Sequence, residues 1–184
     1  VRDHPLTTAR LSLSPLGPGD RDAFVAYRRD PAVARLQSWT PDYGTAEADR
    51  LIAAQPDGPL PAPGGWLQLA VRDPATSALL GDVAVHTWDS QPDTYELGVT
   101  VAPARQRAGV GREAVRRVAD WLFDDHGAHR LVALCDARNE AVARLLRASG
   151  FRHEGRNVAA DFFKGEWTSL DTYALLADER GAGR

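Results

Sequence analysis

Tyr95-Glu-Leu-Gly-Val-Thr-Val-Ala-Pro-Ala-Arg-Gln-Arg-Ala-Gly-Val-Gly-Arg112 joins two signals that decide the fold. The first half is an apolar strand pattern. The second half is a glycine-punctuated, arginine-bearing turn, and the amphipathic pattern of a long helix starts directly after it. The start of a helix offers up to four unpaired backbone N–H groups and a partial positive charge, which together hold an anion such as a pyrophosphate. Gly109 and Gly111 carry no Cβ that would keep phosphate oxygens away from that backbone. A phosphorylated cofactor is therefore expected at this turn.

C-terminal to the turn, a helix from Gly109 to about Asp125 places Val115, Val118, Ala119 and Leu122 at i, i+3, i+4 and i+7, and Gly127 is available to end it. Arg130 to Cys135 reads as a short apolar strand. A second helix from Asn139 is expected to bury Val142, Leu145 and Leu146 and to stop at Gly150. Two closing strands follow, about Phe151–Phe162 and Glu166–Leu176, joined by Lys164-Gly165. On the N-terminal side, Trp66–Arg72, Leu79–Trp88 and Thr94–Val101 read as an antiparallel meander with turns at Asp73-Pro74 and Ser90–Asp93. Earlier still, Ala9–Leu16 alternates as an opening strand. Asp20 is placed to cap a helix through Arg28, and Pro31 to open another. Leu36–Tyr43 reads as a loop. Thr45 reads as the cap of a helix to about Ala54, with Ala48 where a capping box would want Glu or Gln. Gln55–Gly65 is a loop rich in proline and glycine, too short for an interdomain tether. The expected architecture is α/β (α+β): one domain over residues 1–184, a mostly antiparallel sheet with one strand–helix–strand unit inside it, and a flexible tail from about 177 to 184.

The bulk numbers fit one soluble domain. The chain has 184 residues, large enough for a core without staples, with 43% hydrophobic and 26% charged content. No apolar run approaches the roughly 20 residues of a membrane helix, and the first residues lack the charged-then-apolar pattern of a secretory signal. A single cysteine, Cys135, excludes an internal disulfide framework and fits a reducing cytoplasm; on its apolar strand it is expected to be a buried small hydrophobe. A net charge of −3 speaks against a dedicated nucleic-acid binder, and no membrane partner is expected. Arg105, Arg107, Arg112, Arg116 and Arg117 nevertheless form a local basic spot, suited to an anionic ligand. The histidines show no metal-ligand spacing, so no metal is expected, and no Gly-x-Ser-x-Gly elbow points to a hydrolase.

Two cofactors compete for the glycine turn. Gly109-x-Gly111-x-x-Ala114 matches the relaxed dinucleotide fingerprint, with Asp136 following a later strand. In that fold, however, the strand feeds directly into the first glycine, whereas Val101 is followed here by Ala-Pro-Ala-Arg-Gln-Arg-Ala; several strand–helix repeats are also needed, and one is present. The alternative match is to the GNAT N-acetyltransferases. Gln106-Arg107-Ala108-Gly109-Val110-Gly111 resembles their acyl-CoA pyrophosphate loop, Gln/Arg-x-x-Gly-x-Gly/Ala. Glu96 to Pro103 resembles their fourth strand, and Asn139 to Phe151 the helix that follows the fifth. Lys164-Gly165-Glu166-Trp167 before Tyr173-Ala-Leu-Leu is similar to the last strands of the RimJ/RimL-like branch.

The resemblance implies the GNAT acyl-CoA N-acyltransferase fold, a central sheet splayed between its fourth and fifth strands and flanked by helices. It implies acetyl-CoA as co-substrate and transfer of the acetyl group to a primary amine, on a protein N-terminus or a small molecule. Backbone groups of Val99 and Val101 would pair with the pantetheine arm, and Gln106, Arg107, Ala108, Gly109, Val110, Gly111 and Arg112 would hold the pyrophosphate. Asn139 is either a helix cap, a hydrogen-bond partner of the cofactor arm, or both. Glu96 is the expected base, its other reading being a solvated carboxylate on a strand face; an N–H near Val99 would serve the oxyanion. Trp39, Tyr43 and Trp88 are expected to shape the acceptor pocket, with Asp89 and Asp93 helping to admit a cationic amine. The chain departs from its relatives at Val142 and Leu146, where a serine and a tyrosine are common, so neither position can protonate a departing thiolate. Ser149 and Tyr173 are possible substitutes, and an acyl-CoA-binding module without turnover is the alternative function. A homodimer is compatible with the resemblance.

Overall fold

A computed structural model describes residues 4–180. Its frame is an eight-stranded sheet in the order β1-β2-β3-β4-β5-β6-β8-β7. The strands are β1 (Leu6–Thr7), β2 (Ser12–Pro15), β3 (Trp66–Arg72), β4 (Leu79–Thr87), β5 (Thr94–Val101), β6 (Arg130–Asp136), β7 (Arg152–Phe163) and β8 (Glu166–Leu176). Every neighbouring pair is antiparallel except β5 and β6, which α4 (Val110–His126) joins as a crossover. The meander, the crossover and the closing hairpin expected from the periodicity are all present, and the fold is the mixed α/β architecture anticipated above.

Alternation along the strands sends side chains to two separate layers. Leu67, Leu69 and Val71 of β3 enter a large core with Val115, Val118, Trp121 and Leu122 of α4 and with Leu146 of α5 (Glu140–Ala148). Ala70, between them in sequence, faces the opposite way and packs with Phe24, Val25 and Tyr27 of α1 (Arg21–Arg28) and Ala48 of α3 (Thr45–Ala53). The helix α2 (Pro31–Ala34) follows α1, opened by Asp30, whose carboxylate accepts from the Ala32 N–H at 2.8 Å.

Several local expectations need correction. The opening strand is broken: Thr8 turns the chain by donating its N–H to Leu11 C=O at 2.9 Å, so β1 and β2 replace one run over Ala9–Leu16, and the fourth and fifth strands of the expected numbering are β5 and β6. Asp20 stands at the start of α1 but does not cap it; its side chain serves the preceding 3-10 turn (Pro18–Asp20), accepting from the Gly17 N–H at 2.9 Å, and accepts from Arg72 Nε at 2.8 Å. Gly44, not Thr45, is the cap residue of α3, and Glu47 accepts its N–H at 2.9 Å. The capping box was thus displaced by one residue, which hid Glu47 behind Ala48. In α5 only Leu146 is buried outright; Val142 and Leu145 are half-buried against the core. At the C-terminal end, Ala177–Glu179 form a 3-10 turn, Glu179 pairs with Arg152, and Arg180 donates to Asp124 at 3.0 Å. Residues 181–184 of the expected tail lie outside the described residues.

Candidate active site

The sheet opens in its middle. β5 and β6 pair from Thr94↔Arg130 only as far as Glu96↔Val132 and then part. Trp88 N–H donates to Thr94 C=O and Ala102 N–H to Leu80 C=O, so the even-numbered residues of β5 turn their backbone groups toward β4. By the same alternation Val99 and Val101 turn theirs toward the gap. Gln106 crosses back to take one of these groups, donating from Nε2 to Val101 C=O at 3.1 Å.

The turn between β5 and α4 is shaped by two residues with positive φ, Arg107 at 62° and Gly109 at 79°. A non-glycine residue there costs of order 1–3 kcal/mol and persists where the surroundings impose it. The turn leaves the N–H groups from Arg107 to Arg112 without a partner among the described residues, and the first main-chain bond of α4 is Glu113 N–H to Gly109 C=O at 3.0 Å. Arg107, Arg112 and Arg116 have no acidic partner among the described residues. Arg10 was not anticipated here; it donates from Nη1 to Ala108 C=O at 3.2 Å and from Nε to Glu113 at 2.8 Å, tying the β1–β2 turn to the first turn of α4. A hollow of about 430 Å³ lies between Arg10, Gly109, Arg112 and Arg116. Gly111 needs its hydrogen for a different reason from the one expected. A Cβ there would stand 2.6 Å from Leu145 Cδ1 and 3.0 Å from Val101 Cγ2, so this glycine brings α4 against β5 and α5 rather than clearing space for an anion.

On the opposite face of the sheet a cleft of about 850 Å³ runs under the loop after α2 and reaches the open strands. Glu96, Val99, Trp39, Tyr43 and Cys135 all line it, so the expected base and two of the expected pocket aromatics meet in one place. Trp88 does not line it. Trp66 does, stacked on His86 with ring centroids 4.5 Å apart, and His86 Nδ1 lies 3.9 Å from Glu96 Oε2. Neither Trp66 nor His86 was anticipated, although Trp66↔His86↔Glu96 is one cross-strand row in the register. Trp39 is held from three sides. Its indole donates to Arg28 C=O at 3.0 Å, its own carbonyl accepts from Lys164 Nζ at 2.7 Å, and its ring lies 3.8 Å from the Arg28 guanidinium carbon. Lys164 sits at the turn of the β7–β8 hairpin, so that hairpin closes one end of the cleft.

Buried polar groups cluster on the cleft floor. Asp82, 2% exposed, accepts from Tyr27 Oη and from Gln68 Nε2 and lies 3.7 Å from Arg28. Burial pushes its carboxyl up, against the opposing pull of Arg28 and of its hydrogen bonds. Burial likewise pushes the Cys135 thiol up to about 11, which keeps it a neutral SH; the side chain is half-buried at the cleft wall rather than enclosed in the core. Asn139 caps α5, its Oδ1 accepting the Val142 N–H at 3.2 Å. Ser149 Oγ donates to Leu145 C=O at 2.9 Å, and Tyr173, fully buried, has an Oη with no hydrogen-bond partner among the described residues; neither lines the cleft. The Asp136 carboxylate is gripped by Arg138, through Nη2 at 2.7 Å, and its pKa is lowered chiefly by those hydrogen bonds. It is therefore not open to a ribose, and the dinucleotide alternative loses its acidic residue. Among the described residues no cluster of His, Cys, Asp or Glu is arranged to hold a metal, and no helix is long and apolar enough to cross a membrane.

Comparison with known proteins gives this geometry a family. The uncharacterized N-acetyltransferase p20 of Bacillus licheniformis is 24% identical over 168 residues, covering 91% of this chain and 92% of that protein. The spermidine N-acetyltransferase of Vibrio cholerae, solved with CoA and spermine, superposes with a TM-score of 0.77 at 19% identity over 94% of this chain and 98% of that one. A putative ribosomal-protein-serine acetyltransferase from Vibrio cholerae superposes at 0.79 with 22% identity, over 95% and 98%. These two structures share the fold. The family described as acetyltransferase (GNAT) domain matches residues 10–152. By that match, the chain belongs to the GNAT family and is an N-acetyltransferase.

Proposed function

We propose that this protein transfers the acetyl group of acetyl-CoA to the primary amine of an acceptor held in the cleft beside Glu96. One observation carries the proposal: the backbone edge of β5 is open at Val99, beyond the last pairing with β6, and after the turn at Ala102–Gln106, where Gln106 holds Val101 C=O, come unpartnered N–H groups from Arg107 to Arg112. An extended amide-bearing arm fits the first, as a peptide strand fits a sheet edge, and a diphosphate fits the second. Arg107 and Arg112 add charge-assisted bonds to that diphosphate. The thioester then lies in the gap, where the acceptor cleft reaches it through Val99.

Glu96 supplies the proton chemistry in this scheme. An alkylamine with a pKa near about 10.4 is protonated at neutral pH and must lose a proton before it attacks. The carboxylate of Glu96, on the cleft side of β5, takes it directly or through water. The thiolate leaves without a positioned acid, since Val142 and Leu146 carry no hydroxyl, and thiols ionise near about 8.5. The N–H of Val99 faces the gap and is the donor assigned to the oxyanion. Kinship with the RimJ/RimL-like branch and a cytoplasmic setting belong to the same proposal; the likeness to the ribosomal-protein-serine acetyltransferase and the single Cys135 support them.

Titration calorimetry with CoA, followed by thiol release from acetyl-CoA over a panel of amines, tests the proposal. Binding of CoA and thiol release dependent on an amine are expected. CoA binding with no transfer to any amine would favour a cofactor-sensing module, and absence of CoA binding would end the assignment of the turn.

A further inference from the structure

Arg28 is the charge on the cleft floor that acetyl transfer leaves unused. It closes the C-terminal end of α1 with 8% of its side chain exposed. Its guanidinium carbon stands 4.0, 3.8 and 5.1 Å from the ring centroids of Phe24, Trp39 and Tyr43. Three aromatic rings thus fix the group but offer it no hydrogen-bond acceptor in the ring plane. An arginine carries five N–H donors and keeps its charge at any ordinary pH. Among the described residues Nε is buried without a hydrogen-bond partner, and Nη2 stands 3.7 Å from Asp82 Oδ2. Asp82, the counter-charge, is 3.7 Å away, and its two oxygens already serve Tyr27 and Gln68. A buried, aromatic-braced guanidinium lining a cleft, with its Nε unmet and its counter-charge beyond hydrogen-bond reach, is a receptor for an anionic oxygen pair.

We infer that Arg28 binds a carboxylate of the acceptor, so that the amine acetylated here belongs to a molecule that also carries a carboxylate. The inference rests on the acetyl-transfer proposal and narrows its substrate class. A simple polyamine would bring only cations toward Arg28 and leave its Nε unpaired. The two ends of the cleft are also chemically distinct. Glu96 lies opposite His86 in the register, while Asp82, beside Arg28, is four residues earlier on β4. At about 3.3 Å per residue this is roughly 13 Å along the strand. An amine and a carboxylate separated by a side chain or a short peptide match that layout better than the two groups of one α-carbon.

Matched acceptors test this directly: lysine against cadaverine, ornithine against putrescine, and short peptides with a free against an amidated C-terminus. In each pair the carboxylate is the difference under examination. The carboxylated member of at least one pair is expected to have a kcat/KM about 10- to 100-fold higher, the range of a charge-assisted bidentate contact. In Arg28→Gln that ratio falls toward one, and Arg28→Lys, which keeps the charge and loses the fork, is intermediate; CoA affinity serves as the check on folding. Equal use of both members of every pair by the wild-type protein, or preference for the decarboxylated members, overturns the inference, and this comparison needs no variant to fold. Transfer to no amine while CoA still binds overturns the acetyl-transfer proposal itself and is a separate result.

Discussion

The two halves of the cleft are built by different means. On the proposed cofactor side the useful atoms are main-chain groups, on the open edge of β5 at Val99 and along the N–H groups from Arg107 to Arg112. On the proposed acceptor side they are side chains of Arg28, Trp39, Trp66, Asp82 and Glu96, brought together from α1, a loop and three different strands. Backbone direction fixes the first side, and any residue able to hold the turn keeps the donors in place. The second side changes with each substitution, because every group in it is a particular side chain aimed by distant packing. Members of one family can therefore share a cofactor site while differing in their acceptors.

Substitutions can break or sharpen that division. Glu96→Gln has the largest expected effect, a fall in turnover of about 10²- to 10⁴-fold by loss of the base, with CoA affinity unchanged. Steady-state kinetics beside calorimetry checks it; a parallel loss of CoA affinity would make Glu96 a structural residue of both sides. Gly111→Val comes next. With Leu145 Cδ1 and Val101 Cγ2 at 2.6 and 3.0 Å from its Cβ, overpacking should remove about 1–3 kcal/mol of stability in urea unfolding and weaken CoA binding by pushing α4 off β5. Unchanged CoA affinity would show that the gap does not depend on this contact. Trp39→Ala removes one ring from Arg28 and should raise the acceptor KM by an amount corresponding to about 0.5–2 kcal/mol, leaving CoA binding alone.

The smallest effect expected is on acid stability. Asp136 and Asp171 have lowered pKa values, chiefly through hydrogen bonds from Arg138 and Arg156. Groups depressed in the folded state contribute stability that is complete above the ordinary carboxylate value, near about 3.9, and is lost as pH falls through the depressed value. Thermal midpoints should therefore hold down to about pH 4 and fall below it. Arg156→Gln should flatten part of that fall, because it removes the larger partner of Asp171, bound through Nε at 2.7 Å, and leaves only His153 Nε2 at 3.3 Å. Both carboxylates lie on β6 and β8, so an unaltered acid profile in Arg156→Gln would remove this pair from the stability of the acceptor side.

What could be read from the chain follows the same division. Gly109 and Gly127 stand out in the sequence as a turn and a helix stop at either end of α4, and in the structure both take the left-handed conformation that glycine adopts without strain. The row Trp66, His86, Glu96 was not, since pairing three strands requires the register, and the register is set by the turns and the buried faces together. Arg10 is another omission. It sits in what the alternation suggests is a strand, and only the tight turn after Thr8 swings it onto Ala108 and Glu113. Trp88, expected at the pocket from its place at a strand end, lies off the cleft, which Trp66 of β3 lines instead.

By itself the sequence determined the order of the elements, the crossover helix and the glycine turn before it, because those depend on local periodicity and on glycine. Only the tertiary structure decided where β5 and β6 part, which aromatic rings enclose Arg28, and that Gly111 is small for the sake of Leu145. These are contacts between residues far apart in the chain. Their geometry follows from packing the whole sheet between its helices, and no stretch of sequence carries that information alone.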